Sequence, residues 1–256
     1  MSGTGTSAKA PRPPGERLLE VHDRLCRHFG CPIAYFHDLE PLDELVSALL
    51  SHRTRNADSG RAFRTLRARF PDWAAVRDAP VAAVQDAISG CTWPEAKAPA
   101  LQRTLRAITE RRGALSLTHL AGMPVAEARA WLEALPGVGP KTSAAVLSFS
   151  TLRSRALPVD SHHHRVAQRL GLIPAKLAVG PAHRVMEAML PAEWGAQAVY
   201  DHHEVLMLHG QRTCHFHCPA CARCVLFDLC PTGRALHGNG AVRQPHGQPV
   251  AAGVQD

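Results

Sequence analysis

The chain of 256 residues is poor in aromatic residues, which make up only 5% of it. This argues against a protein that binds single strands by stacking bases on a platform of rings. No apolar run approaches the length of a membrane span. The first fifteen residues contain no hydrophobic stretch, so no secretory signal is expected. No segment alternates apolar and polar residues as a strand does, and the sequence therefore predicts an all-α protein with short connections.

Positive charge is in excess, with a formal net charge of +7. Most of the cations are arginine, whose planar guanidinium binds two phosphate oxygens at once. The excess favours nucleic acid or another polyanion as a partner. A coding bias towards arginine is the alternative explanation.

Both ends of the chain differ in composition from the middle. Residues 1–14 are small, polar and rich in proline, and residues 233–256 are rich in Gly, Pro, Gln and Ala. Neither end has helical periodicity, so we expect a disordered arm and a disordered tail. Between them apolar residues recur at helical spacing. The first predicted helix covers 16–29 and ends at Gly30.

A glycine turn between two predicted helices is the most informative local motif. Leu135-Pro136-Gly137-Val138-Gly139 separates helix 125–135 from a helix that begins near Thr142. Glycines allow positive φ, and amides that converge at a helix start can bind a phosphate. Lys141 lies on the first turn of the second helix. A primary amine forms a Schiff base when it is unprotonated, and a helix start and burial both lower a lysine pKa. A lysine that only grips a phosphate is the alternative.

Asp160 follows the arginine-bearing loop 151–158. A carboxylate beside the lysine can accept its proton or stabilise a cationic sugar. Asp160 also precedes a predicted helix, so a plain N-cap is the alternative, and the two roles are compatible.

Four cysteines near the C-terminus have the spacing C-x6-C-x2-C-x5-C: Cys214, Cys221, Cys224 and Cys230. Four thiolates in so short a loop can enclose one metal centre, either zinc or an iron–sulfur cluster. Cys218 lies inside the loop but outside this spacing, and we interpret it as a spare thiol. We expect Cys26, Cys31 and Cys91 to be small apolar residues in a reducing compartment.

These motifs resemble the endonuclease III-like DNA glycosylases. The resemblance extends from roughly Pro41 to Cys230, and its matching pieces are the hairpin with Lys141-Thr142, then Val159-Asp160-Ser161-His162, and the cysteine loop. It implies two helical lobes with a DNA-binding cleft between them. One lobe, 15–33 plus 155–232, would carry a [4Fe-4S] cluster on the four cysteines. The other, 34–154, would carry the hairpin.

The resemblance also implies an activity. Lys141 would attack C1′ of a flipped nucleotide, displace an oxidised pyrimidine and, with Asp160, support strand cleavage at the abasic site. The expected partner is double-stranded DNA with damaged bases or abasic sites, bound by a monomer in the cytoplasm at the nucleoid. The expected DNA contacts are Gly137, Gly139, Thr142, Arg53, Arg55, Thr92, Trp93, His162, Arg165 and Arg212.

Three features depart from the family pattern. Arg53 stands where a glutamine usually fills the gap left by the flipped base, Asn56 replaces an aspartate, and the loop at Gly90 is longer. Arg53 either fills that gap or contacts a phosphate; Trp93 is either core or a wedge. A catalytically weak damage-binding protein therefore remains as an alternative. A monofunctional glycosylase and, from the cysteine loop, a zinc-stapled DNA-binding module are the others. We interpret the triple histidine 162–164 as a partly buried His162 beside the site and a polar face.

Overall fold

The computed structural model describes residues 13–237, which contain twelve α-helices and no strand. The helices are α1 Pro14–Phe29, α2 Pro41–Ser51, α3 Asn56–Arg69, α4 Trp73–Asp78, α5 Val81–Ala87, α6 Pro94–Arg112, α7 Val125–Glu133, α8 Pro140–Phe149, α9 Ser161–Arg169, α10 Val179–Ala188, α11 Ala196–Arg212 and α12 Pro231–His237. Short 3₁₀ turns cover Thr118–Gly122, Cys221–Arg223 and Phe227–Leu229. The predicted all-α class is confirmed.

The buried apolar residues form two main cores. One core is built from α2 to α8, with Leu45, Leu66 and Leu105 fully buried in it. The other combines α1 with α9 to α11 and the turns that follow, and includes Leu18 and Val166. The described part of the chain therefore starts in the second core, crosses to the first through residues 31–40, and returns after α8.

Helix α8 is buried on every side from Thr142 to Phe149. A helix that is enclosed all round belongs to the interior of a protein. Small residues such as Ala144 let α2 and α7 approach closely, whereas Ala145 packs with Phe149 and Tyr200. At its far end Phe149 meets Tyr200 of α11 between the two cores. The interior position of α8 fixes the direction in which its first turn points.

The helix boundaries differ slightly from the sequence prediction. Helix α1 begins at Pro14, inside the segment assigned to the arm, because proline is well suited to the first helical position. Helix α12 continues to His237, inside the segment assigned to the tail. The rest of the predicted arm and tail, 1–12 and 238–256, lies outside the described residues. No helix among residues 13–237 is long and apolar enough to cross a bilayer.

One cysteine prediction is wrong. Cys26 and Cys31 form a disulfide, with their Cα atoms 4.9 Å apart. The left-handed Gly30 turns the chain back at the end of α1, where the Gly30 and Cys31 amides both donate to the Cys26 carbonyl at 2.8 and 3.2 Å. Cys91 is buried in the first core, as expected of a small apolar residue.

Candidate active site and cysteine cavity

The hairpin turn uses only one of its two glycines for a left-handed conformation. Gly137 has φ +79°, whereas Gly139 is extended at φ −109° and serves as the N-cap of α8. The positive φ that glycine allows is therefore used at Gly137 and not at Gly139. Pro140 follows at the first helical position. Because proline has no N–H, it removes one amide from the helix start.

Lys141 is the second residue of α8 and is half-buried. Burial lowers its pKa, and the negative charges of Asp160 and Glu44 only partly oppose this effect. Within residues 13–237 its amine makes no hydrogen bond and no ion pair within 4.0 Å. The structure thus holds an amine with a lowered pKa and an uncommitted Nζ at the end of the hairpin.

The loop that delivers Asp160 is held by helix α10, which in turn pairs with α7. The Leu157 amide donates to Glu187 at 3.0 Å, and the Val159 amide donates to His183 Nε2 at 3.1 Å, both on α10. Glu187 also pairs with Arg129 of α7. These contacts connect the helix before the hairpin to the loop that precedes Asp160, so the two predicted catalytic residues are positioned by one network.

Asp160 is the N-cap of α9, since its carboxylate accepts from the His163 amide at 2.7 Å. Burial by itself would raise its pKa. His203, the His163 amide and neighbouring histidines outweigh burial and hold the pKa of Asp160 below its ordinary value. Asp160 therefore stays ionised at neutral pH. An ionised carboxylate of low pKa suits the stabilisation of a cation better than the acceptance of a proton.

Sequence reasoning missed three titratable residues near this centre: Glu44, His203 and Glu204. Glu44 on α2 is 3% exposed and lies 3.0 Å from His37 Nε2. His203 and Glu204 on α11 are 4% and 8% exposed. An acid among the apolar residues of a predicted helix is the signal that was available, as in the run Glu204-Val205-Leu206.

Arg53 and Trp93 lie together on the surface beside α8. Both have positive φ, +52° and +54°, and the Arg53 guanidinium lies 5.5 Å from the centre of the Trp93 ring. Trp93 is 52% exposed, so the alternative that it belongs to the core is wrong. The Thr92 hydroxyl donates to the Arg53 carbonyl at 2.9 Å and joins the two loops.

Lys97 holds the turn that carries Arg53 through three hydrogen bonds. Its amine donates to the carbonyls of Leu50 and His52, both at 2.7 Å, and to the Thr54 hydroxyl at 2.6 Å. His52 Nε2 lies 2.9 Å from the Thr142 hydroxyl of α8. The turn that carries Arg53 is therefore fixed directly against the helix that carries Lys141.

Some residues that were predicted to contact DNA make contacts within the protein. Thr142 is 2% exposed and its hydroxyl lies inside the protein, so a contact between Thr142 and DNA stays a prediction that its side chain does not support. Arg165 donates to the Gly210 and Cys214 carbonyls at 2.9 and 3.1 Å and braces the cysteine loop. Gly137, Arg55 and Arg212 are exposed, whereas Gly139 and His162 are half-buried.

The polar face predicted for the triple histidine is wrong for His163, which is fully buried. Close packing of α9 on α11 is the reason. A Cβ on Gly210 would lie 2.8 Å from the His162 Cβ, so only glycine allows this approach. His164 makes a hydrogen bond with the Leu177 carbonyl at 2.8 Å.

The four cysteines of the predicted ligand set line one cavity with Arg169 and Thr213, whereas Cys218 does not line it. Within the described residues, no three His, Cys, Asp or Glu side chains are arranged as ligands of a single ion. A [4Fe-4S] cluster binds one thiolate on each of its irons. Its four cysteines therefore surround a volume rather than a point, and a shared cavity fits that requirement.

Hydrogen-bond donors lie close to three of the four cysteine sulfurs. The Leu226 amide lies 3.4 Å from Cys224 Sγ, and the Gly233 amide lies 3.2 Å from Cys230 Sγ. Arg169 donates to Cys214 Sγ at 3.2 Å. Burial raises the pKa of Cys224 to about 12. A bound metal cluster would keep such a thiol deprotonated, and the donor set therefore fits the group.

Comparison with known proteins agrees with this geometry. The model of the HhH-GPD superfamily of base excision DNA repair proteins matches residues 46–191. Endonuclease III of Escherichia coli K12 is 30% identical over 214 residues, which are 84% of this chain and 94% of that protein. A putative DNA glycosylase of Arabidopsis thaliana is 35% identical over 156 residues, and the match spans 61% of this chain but only 53% of the plant protein.

Solved structures show the same fold. A trapped endonuclease III–DNA covalent intermediate superposes with a TM-score of 0.72, at 22% identity, over 87% of this chain and 98% of that one. A thermostable thymine-DNA glycosylase superposes with a TM-score of 0.66, at 19% identity, over 86% of this chain and 95% of that one.

Fold and site together define an all-helical DNA repair protein of the helix-hairpin-helix type. The chain belongs to the HhH-GPD superfamily of base excision DNA repair proteins. The family predicted from the hairpin and the cysteine loop is confirmed.

Proposed function

We propose that this protein is a bifunctional DNA glycosylase that removes oxidised pyrimidines from duplex DNA and cleaves the strand at the resulting abasic site. One observation carries the proposal: the Lys141 amine, with its pKa lowered by burial and its Nζ uncommitted, lies at the hairpin in the field of Asp160. Endonuclease III, which has the same fold, has been trapped as a covalent intermediate with DNA, and this supports covalent chemistry at the site.

The reaction begins with a nucleotide turned out of the duplex, because C1′ is inaccessible in a stacked strand. Lys141 Nζ attacks C1′, and the base leaves with the bonding electrons and takes up a proton. The sugar ring opens to give a Schiff base on Lys141. Loss of a C2′ proton then expels the 3′ phosphate and nicks the strand. Asp160 stabilises the positive charge that develops on the sugar as the base departs.

A panel of duplexes tests the proposed substrate class. The panel contains an oxidised pyrimidine, an oxidised purine, uracil, a mismatched adenine and an abasic site. We expect the abasic site and the oxidised pyrimidine to be cleaved fastest. Tight binding of lesions without turnover would instead identify the damage-binding alternative, and base release without strand cleavage would identify a monofunctional glycosylase.

Arg53 and Trp93 are the proposed wedge that occupies the gap in the duplex. The Trp93→Ala variant should bind an abasic-site duplex about tenfold more weakly, since stacking on a base is worth about 1–3 kcal/mol. Fluorescence anisotropy measures this affinity. Phe36 supplies the control, because it is 61% exposed but contacts Phe149 at the opposite end of α8 from Lys141. Equal losses in Trp93→Ala and Phe36→Ala would contradict a wedge.

We further propose that the four-cysteine loop binds a [4Fe-4S] cluster, which cross-links the end of α11 to α12. Cys224→Ser should lose the broad visible absorption of the cluster and lower the iron content from about four atoms per chain to near zero. Cys218→Ser should retain both, because Cys218 is exposed and lies outside the cavity. A colourless wild-type protein that contains zinc would contradict the cluster and favour the zinc alternative.

DNA contact by the exposed Arg55 and Arg212, and by the hairpin glycines 137 and 139, completes the proposed interface. Each phosphate that an arginine neutralises makes the affinity for DNA fall more steeply as the salt concentration rises. We also propose that the chain divides into two lobes at residues 33–34 and 154–155. The DNA-binding cleft would then lie between the hairpin of one lobe and α9 of the other.

A further inference from the structure

Arg129 on α7 makes direct contact with the start of the helix that carries Lys141. Its side chain is only 12% exposed. The guanidinium Nη2 donates to the Pro140 carbonyl at 3.2 Å, and Nη1 donates to a carboxylate oxygen of Glu187 on α10. The Pro140 carbonyl belongs to the peptide bond between Pro140 and Lys141. Arg129 is therefore bonded to the peptide unit that leads into the proposed nucleophile.

The second carboxylate oxygen of Glu187 extends this contact towards Asp160. It accepts a hydrogen bond from the Leu157 amide at 3.0 Å, and Leu157 lies three residues before Asp160. Hydrogen bonds thus form a continuous path from the peptide bond before Lys141, through Arg129 and Glu187, to the loop that carries Asp160.

The two ends of this path belong to different cores. Helices α7 and α8 contribute to the first core, whereas α9 and α10 contribute to the second. Packing within either core does not fix the distance between a residue on α8 and a residue at the start of α9. Contacts that cross between the cores are needed, and the ion pair of Arg129 with Glu187 is such a contact because it joins α7 to α10.

The chemistry of arginine suits this position. Its guanidinium is a rigid planar fork, so its two terminal nitrogens keep a fixed separation. When one nitrogen binds a carbonyl and the other binds a carboxylate, the two acceptors are held at a fixed distance from each other. Hydrogen bonds to a charged donor are also shorter and stronger than neutral ones. A lysine has a single nitrogen on a flexible stem and cannot hold two acceptors in this way.

The proposed reaction requires Lys141 and Asp160 to act on the same sugar. Lys141 Nζ bonds to C1′, while the Asp160 carboxylate stabilises the positive charge that develops as the base departs. A misplacement of about 1 Å between reacting groups can cost on the order of a hundredfold in rate. The distance between these two residues is therefore a quantity that the fold must control.

We propose that Arg129 is a positioning residue that sets the placement of Lys141 relative to Asp160. It does so by holding the Pro140 carbonyl and the Glu187 carboxylate on one guanidinium. No bond to Arg129 forms or breaks in the reaction, and its effect reaches the sugar through the two residues that it places. This inference rests on the proposed function, and it predicts a residue on which the rate of the chemical step depends more than the affinity for DNA.

Two variants test the fork and the charge separately. Arg129→Gln removes both, whereas Arg129→Lys keeps the charge for Glu187 and removes the fork. Base removal is followed in single turnover on the damaged-base duplex that wild type cleaves fastest. Both variants should be roughly tenfold slower or worse, because the placement of the reacting groups loosens. Their affinity for an uncleavable abasic-site analogue should stay within about twofold of wild type, as expected when only the chemical step is affected.

A double-mutant cycle with Asp160→Asn distinguishes positioning from a general loss of structure. If Arg129 places the nucleophile against the Asp160 charge, its loss should matter little once that charge is gone. Arg129→Lys should therefore slow base removal about tenfold in wild type but less than about threefold in Asp160→Asn. Two independent effects would instead multiply.

Arg77→Gln is the matched control. Arg77 lies on α4, its side chain is 21% exposed, and it pairs with Asp78 and donates to the Thr109 hydroxyl at 2.9 Å. Its loss removes a partly buried arginine and an ion pair, as the loss of Arg129 does, but leaves the path from the hairpin to the Asp160 loop intact. This variant should remove the base at the wild-type rate.

The outcomes separate this proposal from the proposed function. Wild-type rates in both Arg129 variants would overturn the positioning role alone, and full rescue by Arg129→Lys would do the same because it would show that charge suffices. Equal slowing in wild type and in Asp160→Asn, or an affinity for the analogue that falls in proportion to the rate, would show a general structural role and overturn it too. A wild type that traps no adduct with DNA would overturn the lyase function and this inference with it.

Discussion

Lys141→Ala should abolish the covalent adduct that borohydride traps between the protein and an abasic-site duplex. The loss should be at least about a thousandfold, as is common when a nucleophile is removed. Alanine takes away the amine that forms the Schiff base but leaves α8 intact, since alanine is the best helix former. Gel electrophoresis of the protein–DNA adduct measures the effect, and strand cleavage should fall in parallel.

Lys176→Ala is the matched control. The chain has four lysines, at positions 9, 97, 141 and 176, and Lys176 is exposed and lies in the loop between α9 and α10. Its removal should leave trapping unchanged. An adduct that persists in Lys141→Ala would remove this residue from the mechanism and point to another amine. Lys97 is a poor candidate for that role, because its amine is committed to three acceptors.

The sequence was most informative where the chemistry is local. The hairpin places Lys141 on the first turn of α8 within a few residues of the glycines, and Asp160 caps a helix that begins at the next residue. Such positions depend on residues that are close together in the sequence. The all-helical class followed from periodicity for the same reason, and the helix boundaries were off by only a few residues.

Contacts between distant segments were not predictable in the same way. Helix α11 packs closely on α9 because Gly210 has no side chain, and a Cβ there would lie 2.8 Å from the His162 Cβ. The Cys26–Cys31 disulfide depends on the return of the chain at Gly30. Trp93 reached the surface beside Arg53 because both loops are tied to Lys97 and Thr92, and no single segment contains that information. These contacts are properties of the assembled fold.

Asp160→Asn separates the two roles of the aspartate. Asparagine caps a helix about as well as aspartate, so the variant loses the charge and keeps the cap. We expect the rate of base removal to fall about a hundredfold, the typical loss of one group that stabilises transition-state charge. Asp160→Ala should unfold at a lower temperature than Asp160→Asn, because it also loses the cap, at a cost of about 1 kcal/mol.

The pH dependence of Asp160→Asn distinguishes stabilisation of the sugar from tuning of the lysine. The Asp160 charge raises the pKa of Lys141, so its removal lowers that pKa further and leaves more of the amine unprotonated. If tuning were the main role, the variant would be faster than wild type at low pH. A carboxylate that stabilises the cationic sugar instead predicts a slower rate at every pH. The deficit should be larger on a damaged base than on a preformed abasic site, where no base remains to depart.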